Sequence, residues 1–114
     1  VGFGSTWGGV LEAIEKLSSE NKIVVNQLHI RWIVPFHADA ISSILAESQK
    51  IIIVENNYSG QFARYLRSET GIAGDAHIRK YDGEPFMPHH IVDGVKAILE
   101  GETDLYVPTH EMMV

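Results

Sequence analysis

Ile51-Ile52-Ile53-Val54 is an unbroken run of β-branched residues, and Glu55-Asn56-Asn57-Tyr58-Ser59-Gly60-Gln61 follows it directly. A strand with apolar side chains on both faces needs a helical layer on each side, as in a parallel sheet. Open α/β sheets gather ligands and partners at the carboxyl ends of their strands. Any chemistry or contact surface is therefore expected between Glu55 and Gln61. Asn56 and Asn57 tolerate left-handed backbone, and Ser59 or Gly60 can start a helix. The segment thus reads equally well as a plain turn and as a polar contact surface.

The rest of the chain repeats the strand-then-helix pattern. Val1-Gly2-Phe3-Gly4 reads as the end of a strand. Strands commonly run about five or six residues, so the front of this one is expected to be missing and the chain to be a fragment. Ser5 or Thr6 can cap a helix in which Val10, Leu11, Ile14 and Leu17 share a face. A second strand is expected over 23–30. A connection through Arg31 to Phe36 follows, broken by Pro35. A second helix spans about 38–48, with Ile41, Ile44 and Leu45 inward. The third strand is 50–55 and the third helix about 60–70, stopped by Gly71. A short fourth strand covers 77–81, and Asp82-Gly83-Glu84-Pro85 is turn chemistry. Pro88 suits the first turn of a last helix burying Ile91, Val92, Val95, Ile98 and Leu99, and Gly101 ends it.

Four strand–helix units imply parallel strands, right-handed crossovers and a three-layer α/β/α sandwich. The domain is expected over residues 1–101. Residues 102–114 show no period and read as a tail or docking segment.

The chain has 114 residues and a net charge of -6, with no cysteine. That length supports one core. The acidic balance disfavours nonspecific nucleic-acid binding, although Arg64, Arg67, Arg79 and Lys80 could gather into a local basic patch. Without cysteine the chain offers no thiolate to zinc or to an iron–sulfur cluster and forms no disulfide, which fits a reducing cytoplasm. No apolar run is long enough for a transmembrane helix, and no signal peptide is evident.

Familiar site motifs fail on spacing. Gly2-Phe3-Gly4-Ser5-Thr6-Trp7-Gly8 places its third glycine one position late for a dinucleotide fingerprint. The second strand ends Gln27-Leu28-His29-Ile30, without the acidic residue that holds a ribose. Ser5 lies directly after Gly4, which is not the nucleophile-elbow pattern. Adjacent His89 and His90 diverge by about 100° on a helix and do not share a metal ion easily. No catalytic residue and no metal ligand is assigned. Free N–H groups from Ser5 to Gly8 could hold an anion.

Four segments in order resemble the C-terminal domain of the alpha subunit of 2-oxoacid:ferredoxin oxidoreductases, most closely the 2-oxoglutarate type. They are Gly4-Ser5-Thr6 with Gly8, Arg31 with Pro35-Phe36, Val54 to Gln61, and Tyr81-Asp82-Gly83-Glu84-Pro85-Phe86. The resemblance implies the transketolase C-terminal fold, with its antiparallel first edge strand missing here and the other four ordered second, first, third, fourth. It implies a parent enzyme that oxidatively decarboxylates a 2-oxo acid to acyl-coenzyme A and passes electrons to ferredoxin. Thiamine diphosphate, magnesium and iron–sulfur clusters are then expected elsewhere in the complex and no cofactor in this chain. Asn56-Asn57 has no Gly-Asp-Gly segment upstream and is not a diphosphate motif.

The chain's own role is then a noncatalytic interface domain. It would pack against other domains of the alpha subunit and against the beta subunit, with no nucleic-acid or membrane contact. Gly4, Ser5, Thr6, Arg31, Phe36, Glu55, Asn56, Asn57, Gly60, Gln61 and Phe86 are its candidate binding or interface residues. Phe36 and Phe86 are the apolar anchors. The alternatives are a free-standing flavodoxin-like module binding an anion or nucleotide at Ser5 to Gly8, and the equivalent domain of another thiamine enzyme.

Overall fold

The computed structural model describes residues 1–3, 7–30, 37–56, 59–80 and 86–108. Among these residues, five strands and four helices alternate: β1 (Gly2–Phe3), α1 (Trp7–Asn21), β2 (His29–Ile30), α2 (Ala38–Ala46), β3 (Ile52–Glu55), α3 (Gln61–Thr70), β4 (Ala76–Arg79), α4 (Pro88–Leu99) and β5 (Leu105–Tyr106). The sheet order is β2-β1-β3-β4-β5, parallel throughout. The expected α/β class and the order of the first four strands are observed. The segment after Gly101, which shows no period in sequence, adds a fifth strand at the β4 edge.

Alternation along β3 divides the core. Val54 joins Val10, Ala13 and Leu17 of α1, Ala76 and Ile78 of β4, and Ile91, Val95 and Ile98 of α4. Ile53 points the other way, to Ile41 and Leu45 of α2 and Phe62, Ala63 and Leu66 of α3. Each face of the sheet therefore carries two helices, which is the environment that the Ile51–Val54 run demands.

This division gives the last connection an unusual hand. The β1-to-β2 step moves toward one edge over the α1 face, while the β4-to-β5 step moves toward the opposite edge over that same face. The β4–α4–β5 unit therefore has the opposite hand to the other three, against the general right-handed rule. On the far face α2 and α3 already shield the sheet, whereas Ala76 and Ile78 on the near face need α4 to bury them. Gly94 permits the fit, because a Cβ there would lie 2.8 Å from Ile78 Cδ1 and 2.9 Å from Tyr106 Cδ1.

The helix ends follow sequence rules. Pro88 occupies the first turn of α4, and His90 Nδ1 accepts the Met87 N–H at 3.1 Å. Gly71 takes left-handed φ (76°) after α3, and its N–H bonds to the Arg67 carbonyl at 2.8 Å.

A close approach between α1 and the loop before α4 marks Gly9. A Cβ there would lie 2.9 Å from the Phe86 carbonyl oxygen, a backbone atom with little freedom to move. Gly9→Val is expected to destabilise the fold by about 2 kcal/mol through overpacking. Gly8 has nothing within 4 Å of its Cβ position. Gly8→Ala is therefore expected to be neutral or to stabilise by up to about 1 kcal/mol through helix propensity. Urea denaturation of both variants checks the contrast.

Several apolar residues expected inside are not buried. Leu11 is exposed and Ala13 takes its place, because the buried stripe of α1 is 10, 13, 14, 17. Ile44 and Leu99 are about half exposed, at 50% and 45%. The second strand, expected over 23–30, is formed only at His29–Ile30. Among the described residues it pairs with β1 alone, over Gly2 and Phe3.

Candidate functional site

The carboxyl ends of β3 and β4 lie side by side, with Glu55 opposite Arg79 in register. Glu55 is 1% exposed. Its Oε1 accepts the Phe62 N–H at 2.8 Å and its Oε2 accepts the Ala63 N–H at 3.1 Å. The first-turn amides of a helix lack intrahelical acceptors and carry partial positive charge. Glu55 supplies both an acceptor and a negative charge, and so caps α3 from the preceding strand. Its backbone carbonyl also accepts the Lys80 N–H at 3.2 Å, tying β3 to β4 beyond the last paired residues.

Gly60 begins α3 in left-handed conformation, with φ 68° and ψ 40°. The Arg79 guanidinium covers it so closely that a Cβ would lie 2.6 Å from Cζ. Glycine is needed here for its backbone angle, and a Cβ would also oblige the guanidinium to move aside. Among the described residues, Arg79 Nε is buried with no hydrogen-bond partner. Two residues back along β4, His77 Nδ1 is buried in the same condition. Burial holds the His77 imidazole below its usual pKa, helped by the Arg79 charge, while Glu55 and Asp104 pull the other way. Lys80 is buried at the end of β4. It therefore does not join Arg64 and Arg67 in an exposed basic patch, and Arg79 is occupied over Gly60.

The candidate residues divide accordingly. Glu55 and Gly60 come together and build the start of α3. Asn56 is exposed beside them, and Gln61 is exposed in the first turn. Gly4, Ser5, Thr6, Arg31, Phe36 and Asn57 lie outside the described residues, as does most of the Ser5-to-Gly8 anion reading. Phe86 is buried in the core shared by α1 and α4, with its ring edge-on to His90 at 6.5 Å. A ring used inside the domain is not available as an anchor for a partner, so that expectation is corrected. The contact of Arg79 with Gly60 is absent from the sequence reading. Its signal is an arginine ending β4 beside the glycine that opens α3, legible only once the strands are paired.

Among the described residues, no group of three or more His, Asp or Glu side chains could hold a metal ion. No described helix is long and apolar enough to cross a membrane.

The chain is 36% identical over 110 residues to the alpha subunit of 2-oxoacid:ferredoxin oxidoreductase 2 from Aeropyrum pernix, covering 96% of this chain and 17% of that protein. It is 35% identical over 98 residues to the 2-oxoacid:ferredoxin oxidoreductase alpha subunit of Saccharolobus solfataricus, covering 86% of this chain and 15% of that protein. These alpha subunits are its relatives. The chain thus spans about a sixth of the length of the curated relatives it matches. No family model matches it.

Proposed function

We propose that this chain is the C-terminal, transketolase C-terminal-like domain of a thiamine-diphosphate-dependent 2-oxoacid:ferredoxin oxidoreductase alpha subunit, of the 2-oxoglutarate type, and that it is a noncatalytic support. The parent reaction converts a 2-oxo acid anion, coenzyme A and two oxidised ferredoxins to acyl-coenzyme A, carbon dioxide, two reduced ferredoxins and a proton. The observation that carries this reading is the extent of similarity: nearly the whole chain matches a small part of each alpha subunit.

The chemistry of the chain agrees with a supporting role. It has no thiolate to offer an iron–sulfur cluster. Glu55, the buried carboxylate at the strand ends, spends both oxygens on the first turn of α3. The exposed side chains of Asn56 and Gln61 face outward, where other domains of the alpha subunit or the beta subunit would meet them. Thiamine diphosphate, magnesium and the clusters would be bound in those other parts, in the cytoplasm.

The test pairs two assays. The 114-residue chain, supplied with 2-oxo acids, coenzyme A, thiamine diphosphate and ferredoxin, is expected to show no turnover. Deleting the corresponding segment from the longer subunit is expected to abolish both assembly with the beta subunit and activity. Turnover by the chain alone would falsify the supporting role, and so would an assembled, active complex without it.

A further inference from the structure

The apolar core under α2 and α3 is narrower than the sheet. It draws on Ile30 of β2 and Ile53 of β3 and, among the described residues, takes nothing from β4 or β5. The opposite core extends across both of those strands, through Ala76 and Ile78 of β4 and Tyr106 of β5. Alternation puts the remaining side chains of β4 and β5 on the α2–α3 side. In β4 these are His77, which pairs with Ile53, and Arg79, which pairs with Glu55. In β5 it is Leu105, opposite His77 in register and 43% exposed. Val107 follows two residues later and is also exposed.

This face is not finished as a solvent surface. It exposes apolar side chains, and its two polar ones hold buried nitrogens, His77 Nδ1 and Arg79 Nε, without hydrogen-bond partners among the described residues. Buried polar atoms in folded proteins are nearly always paired. The Arg79 guanidinium rests over Gly60, which gives its Nε no acceptor. Glu55, the carboxylate opposite it, gives its oxygens to the Phe62 and Ala63 amides. A guanidinium always carries its charge, and its planar fork of donors fits a carboxylate. The local acid is used elsewhere, so the face offers a cation to an acid from outside the domain.

We propose that this β4–β5 face docks another part of the same alpha subunit, through a segment that sets a carboxylate against Arg79 and apolar side chains over Leu105 and Val107. The proposal rests on the reading of the chain as part of a longer alpha subunit. The segment is acidic at one point because Arg79 calls for an anion. It is apolar beside that point because Leu105 and Val107 stand exposed there. It belongs to the same subunit because this chain matches only 17% and 15% of the length of two relatives. Most of such a subunit lies outside this domain, and the connecting chain holds it at high effective concentration. The guanidinium is the far end of a flexible side chain, so it turns from Gly60 to the incoming carboxylate without backbone movement.

The test uses the absence of cysteine. Leu105→Cys introduces a single thiol in the 114-residue chain, which is expected to react rapidly with a maleimide. In the longer alpha subunit without its beta subunit, labelling at position 105 is read from the mass of the peptide that carries it. It is expected to be at least about tenfold slower than in the short chain. If Leu105→Cys does not fold, Val107→Cys gives the same comparison. Equal rates in the two proteins overturn the proposal. So does protection that appears only when the beta subunit is added, or that rises with concentration in the short chain, since these assign the face to the beta subunit or to a second copy. The carboxylate is tested separately. In the Arg79→Lys variant of the longer subunit, carbodiimide coupling is expected to join position 79 to an Asp or Glu of the same subunit outside this domain. Coupling to Glu55 alone, or none, overturns it. These readouts do not involve 2-oxo acid turnover, so the docking face and the enzyme reading fail separately.

Discussion

Replacing Glu55 by alanine is expected to destabilise the fold by about 3–5 kcal/mol, because two buried N–H groups lose their acceptor at once. The acceptors are the two carboxylate oxygens bonded to the Phe62 and Ala63 amides. Each unsatisfied buried donor costs about 1–3 kcal/mol, and the first turn of α3 also loses the anion that its dipole favours. Glu55→Gln keeps one acceptor and removes the charge, so its expected cost is smaller, about 1–3 kcal/mol. Urea midpoints measure both, and hydrogen exchange at Phe62 and Ala63 locates the damage. If these two amides exchange no faster in Glu55→Ala than in the parent chain, the cap is not what holds α3. An exposed carboxylate used only for docking would leave stability unchanged.

Lowering the pH from 8 to 6 is expected to cost the 114-residue chain about 2 kcal/mol of stability through its amino terminus. Burial pushes the Val1 amino group from its ordinary 8.0 to about 6. Between those values the unfolded chain holds a proton that the folded chain does not, so stability rises with pH there. Well above 8 both states are neutral at this group, and well below 6 both are protonated, so it adds no further slope. His77, also lowered by burial, acts in the same direction as its imidazole protonates. Acetylating Val1 separates the two, because it abolishes only the amino-terminal share. Urea midpoints at pH 8.5, 7 and 5.5 make the comparison. A profile that acetylation leaves unchanged would contradict the buried amine.

The Ile51-to-Val54 run is enough to place a doubly covered strand, because a parallel sheet between two helical layers buries both of its faces. Gly71, Pro88 and Gly101 are legible for a local reason: their backbone limits act within one turn. The helical stripes read well where a neighbour exists, as at Val10, Leu17, Ile41 and Ile98. They read poorly at Ile44 and Leu99, because periodicity shows which side chains want burial, not whether anything is present to bury them. At the strand ends, Glu55 is legible as important, but not as a helix cap. Its oxygens meet amides seven and eight residues away only after the chain turns through Gly60. Phe86 misleads in the same way, since an aromatic after a proline turn looks alike in a core and at an interface.

Local composition and pattern alone set the α/β class and most helix boundaries, since these depend on short-range backbone limits and on alternation. The order of the first four strands came with the four matching segments. Tertiary packing alone chose the face of α4, and with it the reversed hand of the last crossover and the fifth strand at Leu105–Tyr106. That choice depends on which part of the sheet the other three helices leave uncovered. No single segment carries that information, because it belongs to the sum of the others.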